Sequence, residues 1–181
     1  EAKSHHRGSD SHRIAERGRR GVIGTLDGLC ANSTASALRD WADQTSAVGE
    51  NHRHCFLLGH PRSGTTLIEQ TLDAHPNVTA ADETPIFHNT IWMPGILQNT
   101  KNKSSSYADF LSSLPPNYIR RLRKDYRIHW QRAVGNCKDK PSVWLDKNPA
   151  LTTRLAIIAR FFPEAPIVFA LRDPRDVILS S

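Results

Sequence analysis

Eight residues, Gly59-His60-Pro61-Arg62-Ser63-Gly64-Thr65-Thr66, have the composition of a loop that grips an anion. Glycine permits a tight turn and close approach of a ligand to the backbone. The apolar run Cys55-Phe56-Leu57-Leu58 precedes the loop and a helical stretch, Thr65–Ala74, follows it. A strand thus feeds a helix start, where unpaired N–H groups and the helix dipole favour negative charge. Ser63, Thr65 and Thr66 add hydroxyls, and Arg62 adds a permanent cation. The spacing approaches the G-x-x-x-x-G-K-[ST] loop of nucleoside-triphosphate enzymes, with Thr66 where the magnesium-binding hydroxyl stands. Thr65, however, occupies the place of the lysine that reaches the terminal phosphates. That change argues against ATP or GTP hydrolysis and for a ligand with less terminal charge and no metal. On the loop alone, a P-loop kinase or NTPase and a non-catalytic nucleotide-binding module both stay open.

Three further groups could share the chemistry. Asp82-Glu83-Thr84 places a carboxylate, Glu83, 21 residues after Arg62 and just past the expected strand Val78–Ala81. Asp146-Lys147-Asn148-Pro149 is a turn carrying a lysine. Arg172 ends the apolar run Ile167–Leu171, with Ser180 eight residues later. Taken singly, Glu83 reads equally as a capping acid before Pro85, Lys147 as an exposed turn lysine, and Arg172 as a partner of Asp176.

Together with Leu72-Asp73-Ala74-His75-Pro76, the loop resembles the 5′-phosphosulfate loop of sulfotransferases that use 3′-phosphoadenosine 5′-phosphosulfate (PAPS). The likeness is closest to the tyrosylprotein-sulfotransferase-like group, including bacterial domains linked to tetratricopeptide repeats. It lies in two blocks, near residues 52–84 and 142–181. The resemblance implies that Arg62, Ser63, Gly64, Thr65 and Thr66 hold the 5′-phosphosulfate, and that Arg172 and Ser180 hold the 3′-phosphate. It implies Glu83 as base toward an acceptor hydroxyl, Lys147 and Arg62 at the reacting group, PAPS as co-substrate, PAP as product, and no metal. The acceptor would be a protein tyrosine, a carbohydrate hydroxyl or a small phenol. Secreted members of the group carry cysteines at the positions of Ala80 and Leu145 here, so the resemblance points to a bacterial-type, cytoplasmic relative. It also implies a fold that continues past the 3′-phosphate helix, so that the chain reads as truncated at its C-terminus.

These groups need a scaffold. Short apolar strands at 55–58, 78–81, 142–145 and 167–171 alternate with helical stretches, the pattern of a parallel α/β sheet. The expectation is a P-loop-like three-layer fold, a parallel sheet flanked by helices, with the motif turns at the carboxyl ends of strands, where such sheets bind ligands. Ile167–Leu171 reads as the clearest buried strand. Apolar residues Leu151, Leu155, Ile158 and Phe162 predict one helix over Ala150–Phe162. Helices are also expected over Ala35–Ala47, Ser104–Leu114 and Asn117–Val134. On the last, Arg120, Arg121, Arg123, Lys124 and Arg127 read as a solvated basic face.

Residues 1–36, rich in Arg, His, Ser and Gly, read as a disordered basic tail, residues 37–51 as a short helix and linker, and 52–181 as the core. The net charge of +6 is spread among the tail, one helix and single residues beside turns. That distribution suits a phosphate-bearing small ligand better than nucleic acid. No apolar run approaches the roughly 20 residues of a membrane span. Cys30, Cys55 and Cys137 form no CxxC pair and read as free thiols.

Overall fold

The computed structural model describes residues 35–45, 53–102, 107–135 and 143–180. Helix α1 covers Ala35–Thr45. Strand β1, Arg53–Gly59, runs into α2, Thr65–Asp73, and then β2, Val78–Asp82. A π-helical segment, His88–Trp92, continues into α3, Met93–Asn102. Helices α4, Tyr107–Ser113, and α5, Pro116–Val134, complete the helical middle. Strand β3, Val143–Lys147, leads to a 3₁₀ helix, Pro149–Arg154, and α6, Leu155–Phe161. Strand β4, Ile167–Ala170, and α7, Pro174–Leu179, end the described chain.

The four strands form one parallel sheet in the order β2-β3-β1-β4. Alternation along β1 builds the layers, because successive side chains face opposite sides. Cys55 and Leu57 join Leu145 of β3 beneath Ile68 and Leu72 of α2. Phe56 and Leu58 enter the larger core with Phe87, Tyr126, Trp130 and Phe162. On β3 the same rule sends Trp144 and Asp146 to the aromatic side, and Leu145 and Lys147 to the α2 side. Trp144 stacks on Trp130, with ring centroids 5.5 Å apart. The expected parallel α/β architecture is therefore present, with β1 covered on both faces.

Helix α1 belongs to this packing. Its Trp41 is buried, and the indole N–H donates to Ser112 Oγ at 3.2 Å. Beside it, the fully buried Arg160 donates to the carbonyls of Leu111 and Leu114 and to Gln44 Oε1, tying α6 to α4 and α1. Residues 1–34, and with them most of the expected tail, lie outside the described residues, as do Cys30 and Cys137. Cys55 is a buried free thiol. Among the described residues no helix is long and apolar enough to cross a membrane.

Three expectations are corrected. Strand β4 is not buried: among the described residues it pairs with β1 alone and lies at the sheet edge, leaving Ile167, Val168 and Phe169 between 36% and 44% exposed. Apolarity announces a strand but not how many neighbours it has. Ala150–Phe162 is not one α-helix. The stretch begins as a 3₁₀ helix, capped by the Asn148 side chain, which accepts from the Ala150 N–H at 2.9 Å. The change from three to 3.6 residues per turn rotates the faces, so Leu155 is exposed while Ile157, Ile158 and Phe161 are buried. Arg123 does not lie on the solvated face of α5. It is buried over the Phe162 ring and bonded to Glu164, which supplies the countercharge. The helices over 88–102 left no clear periodic signal.

Candidate functional site

The loop leaves β1 at Gly59, whose φ is +154°. A Cβ there would lie 2.9 Å from the Ala170 carbonyl oxygen and 3.1 Å from Thr65 Cγ2, so the loop can start only where no side chain intervenes. The Thr152 hydroxyl clamps the same residue, accepting from the Gly59 N–H at 3.0 Å and donating to its carbonyl at 2.9 Å. Ser63 is buried in the turn closed by its own N–H on the His60 carbonyl. Gly64, left-handed at φ 85°, caps α2 and brings Thr65 and Thr66 into the first helical turn.

Two non-glycine residues among those described have positive φ, Arg62 at 69° and Glu83 at 46°. Such backbone costs about 1–3 kcal/mol each and persists where the surroundings over-determine it. Here hydrogen bonds do so. The Arg62 carbonyl accepts from Arg172 Nη1 at 3.0 Å, and Arg62 Nε donates to the Ser180 carbonyl at 2.7 Å. The Glu83 N–H donates to the Lys147 carbonyl at 2.9 Å. Both outliers sit at the same place: Arg62, Gly64, Thr65, Thr66, Glu83 and Arg172, with Pro61 and Pro149, line one cleft of about 420 Å³. That size is in the range of small-ligand sites.

Of the residues expected to hold the donor, Arg62, Gly64, Thr65, Thr66 and Arg172 thus meet in the cleft. Ser63 is buried and does not line the cleft. Ser180 is adjacent through its carbonyl, while its hydroxyl donates to the Val177 carbonyl at 2.9 Å. Arg172 bonds the loop rather than Asp176.

Lys147 lies under the cleft, its side chain 1% exposed. Its ammonium meets Asp82 Oδ1 at 2.5 Å, Glu83 Oε1 at 3.0 Å and Glu69 Oε2 at 3.6 Å. Burial alone depresses the ammonium pKa, but the hydrogen bonds and charges of Asp82 and Glu83 outweigh it and hold Lys147 above its ordinary value. Lys147 is therefore a cation at neutral pH. Burial, reinforced by the Asp82 charge, pushes the Glu69 carboxyl up, and Lys147 opposes this.

On the other face of β3, Asp146 is 1% exposed and accepts from the Tyr126 hydroxyl at 2.7 Å. Burial raises its carboxyl to about 6, against the opposing effect of Tyr126 and Trp130. Asn148 Nδ2 reaches the Thr84 carbonyl at 3.4 Å. The lysine turn is thereby tied to the Glu83 loop on one side and to α5 on the other.

A profile of the sulfotransferase family matches residues 55–181, from the first buried residues of β1 through the cleft-bearing loop to the last helix. The chain belongs to the sulfotransferase family. Within the family, this chain is 29% identical over 126 residues to a putative protein-tyrosine sulfotransferase of Caenorhabditis briggsae, a stretch covering 69% of this chain and 41% of that one. It is 29% identical over 131 residues to the nodulation protein NoeE of Sinorhizobium fredii, covering 70% of this chain and 30% of that one. Human protein-tyrosine sulfotransferase 1 is 27% identical over 135 residues, 74% of this chain and 35% of its own. The chain spans about two fifths or less of the length of these relatives. Ala80 and Leu145, expected as the cysteine positions of secreted sulfotransferases, are register partners on β2 and β3.

Sequence reasoning missed Glu69, Thr152 and the Tyr126–Asp146 pair. Glu69 had a readable signal: it stands four residues after Thr65 and three before Leu72, on the inward stripe of α2. Thr152 had none, because its partner Gly59 is 93 residues away.

Proposed function

We propose that this chain carries the donor-binding and reacting centre of a PAPS-dependent sulfotransferase. The observation that carries the reading is the joining of Glu83 and Lys147 at 3.0 Å beside the cleft that holds Arg62, Thr65 and Thr66.

The donor set suits a phosphosulfate. Arg62 and Arg172 supply two guanidinium groups, Thr65 and Thr66 hydroxyls, and the start of α2 unpaired N–H groups. Glu83 takes the proton of an acceptor hydroxyl as its oxygen attacks sulfur. The new O–S bond forms while the bond from sulfur to the bridging phosphate oxygen breaks in line. Lys147 and Arg62 stabilise the negative charge left on that oxygen, and PAP departs. Arg172 and the region of Ser180 take the 3′-phosphate, which ATP lacks. Most of the rate enhancement then comes from positioning and charge, as in phosphoryl transfer. The acceptor class is a hydroxyl compound, with protein tyrosine favoured by the names of several relatives.

Calorimetry with PAP and with ATP-Mg tests the donor. Binding of ATP-Mg without PAP would sink the proposal in favour of an NTPase. Transfer of labelled sulfate from PAPS, compared between the wild type and Glu83→Ala, tests the base. The expected loss is roughly 100-fold or more, and undiminished transfer removes Glu83 from that role.

A further inference from the structure

Helix α2 lays Ile68 and Leu72 over Cys55, Leu57 and Leu145. Between them in sequence stands Glu69, only 7% exposed. A carboxylate in such a layer is unfavourable, and an apolar residue of like volume would pack there without the desolvation penalty. Its ion-pair partner is Lys147, at 3.6 Å. The charged groups facing it are Lys147 on β3, Asp82 at the end of β2 and Asp73 one turn along α2.

The three carboxylates around Lys147 are not equivalent. The ammonium has three N–H donors. Asp82 and Glu83 approach from the open side, with side chains 63% and 58% exposed, whereas the Glu69 side chain is 10% exposed. Glu69 does not line the cleft. During transfer Glu83 gains a proton and loses its charge, and with it much of its hold on Lys147. At that moment the ammonium must point at the leaving oxygen. Among these groups the buried, fixed countercharge is Glu69.

We propose that Glu69 is a positioning residue for Lys147, the fixed anion that keeps the ammonium in place beneath the cleft while Glu83 changes its protonation state. This rests on the sulfuryl-transfer reading above.

The test uses Glu69→Gln and Glu69→Asp in the intact chain, with three readouts. PAP affinity, by calorimetry, is expected to stay unchanged. Turnover of PAPS is expected to fall roughly 10- to 100-fold in Glu69→Gln, with KM for PAPS unchanged and Glu69→Asp in between. The Lys147 titration, followed by NMR of its ammonium and assigned with Lys147→Arg, is expected to move down in Glu69→Gln. The alkaline limb of the rate profile should move with it. Unchanged turnover, or a loss of turnover matched by an equal loss of PAP affinity, overturns the proposal. A wild-type chain that binds PAP but transfers nothing counts against the sulfuryl-transfer reading instead. The Lys147 titration then decides on its own, and an unmoved titration in both variants overturns the role of Glu69. Should Glu69→Gln fail to fold, Glu69→Asp alone decides by the same three readouts.

Discussion

Glu83 and Lys147, 64 residues apart in sequence, are bonded to each other twice. The Lys147 ammonium meets Glu83 Oε1 at 3.0 Å, and the Glu83 N–H donates to the Lys147 carbonyl at 2.9 Å. The backbone bond prolongs the β2–β3 ladder just beyond its last register pair, Asp82 and Lys147. The sheet itself therefore sets the distance between the two side chains. It also holds Glu83 at its left-handed φ of 46°, a conformation that a free loop would abandon.

Replacing Lys147 with Met separates binding from chemistry. PAP keeps the leaving oxygen on its 5′-phosphate, so PAP affinity should fall too, but by much less than the rate, because the charge on that oxygen develops as the S–O bond breaks. Transfer should fall roughly 100- to 1,000-fold, the usual effect of removing one donor to a developing oxyanion. Glu69 would be left buried without its partner, so the unfolding midpoint should fall as well. Calorimetry, labelled transfer and a thermal melt on one preparation check all three. A variant that transfers sulfate at the wild-type rate would exclude Lys147 from the reaction.

Asp146 makes stability depend on pH. Its carboxyl titrates at about 6 in the folded protein, against 3.8 for the ordinary group. Between those values the folded state binds more protons than the unfolded state, so stability falls as pH rises. The contribution is fully present below 3.8 and lost once pH passes about 6. A shift of about two units corresponds to about 3 kcal/mol. Asp146→Asn, which keeps the shape and an acceptor for Tyr126, should flatten this part of the profile. Urea unfolding of both proteins at pH 4 and pH 7 measures it, and equal slopes would refute the assignment.

The sequence made the sheet and the loop legible because their signals are local. Cys55–Leu58 is a continuous apolar run, and the glycines, hydroxyls and arginine of the loop follow one another directly. Glu83, Lys147 and Arg172 could be singled out because each stands at or within two residues of the end of a strand. What could not be read depends on neighbours distant in sequence. Strand β4 looked central because its residues are apolar, yet its place at the edge depends on which strands flank it. Arg123 looked solvated until Phe162 and Glu164 were brought against it. The expected hydroxyl of Ser180 is spent within its own helix, a matter of one rotamer that no spacing reveals.

The two loop glycines should tolerate a methyl group differently. At Gly59 a Cβ would lie 2.9 Å from the Ala170 carbonyl oxygen, and the strand cannot move away without breaking the β1–β4 pairing. Gly59→Ala should destabilise the protein by about 1–3 kcal/mol and weaken PAP binding. At Gly64 no atom lies within 4 Å of the place a Cβ would take, so Gly64→Ala meets only the left-handed backbone, at about 1 kcal/mol. Urea unfolding of the two variants should rank Gly59→Ala as the more damaging. The reverse ranking would mean that the close approach to Ala170 does not constrain the loop.

Arg172 discriminates between two kinds of contact. Its Nη1 already bonds the Arg62 carbonyl, so it braces the loop, and it also lines the cleft where a 3′-phosphate is proposed. A charge-assisted bond to phosphate is worth about 1.5–3 kcal/mol, so Arg172→Ala should weaken PAP binding roughly 10- to 100-fold. AMP carries the same nucleoside and 5′-phosphate without the 3′-phosphate, and its weaker affinity should be nearly unaffected. Arg62→Ala should weaken both ligands alike, because the 5′-phosphate is common to them. Competition binding of PAP and AMP to the two variants measures the difference. If Arg172→Ala weakens AMP as much as PAP, Arg172 acts by holding Arg62 in its strained conformation, and the 3′-phosphate contact must lie elsewhere.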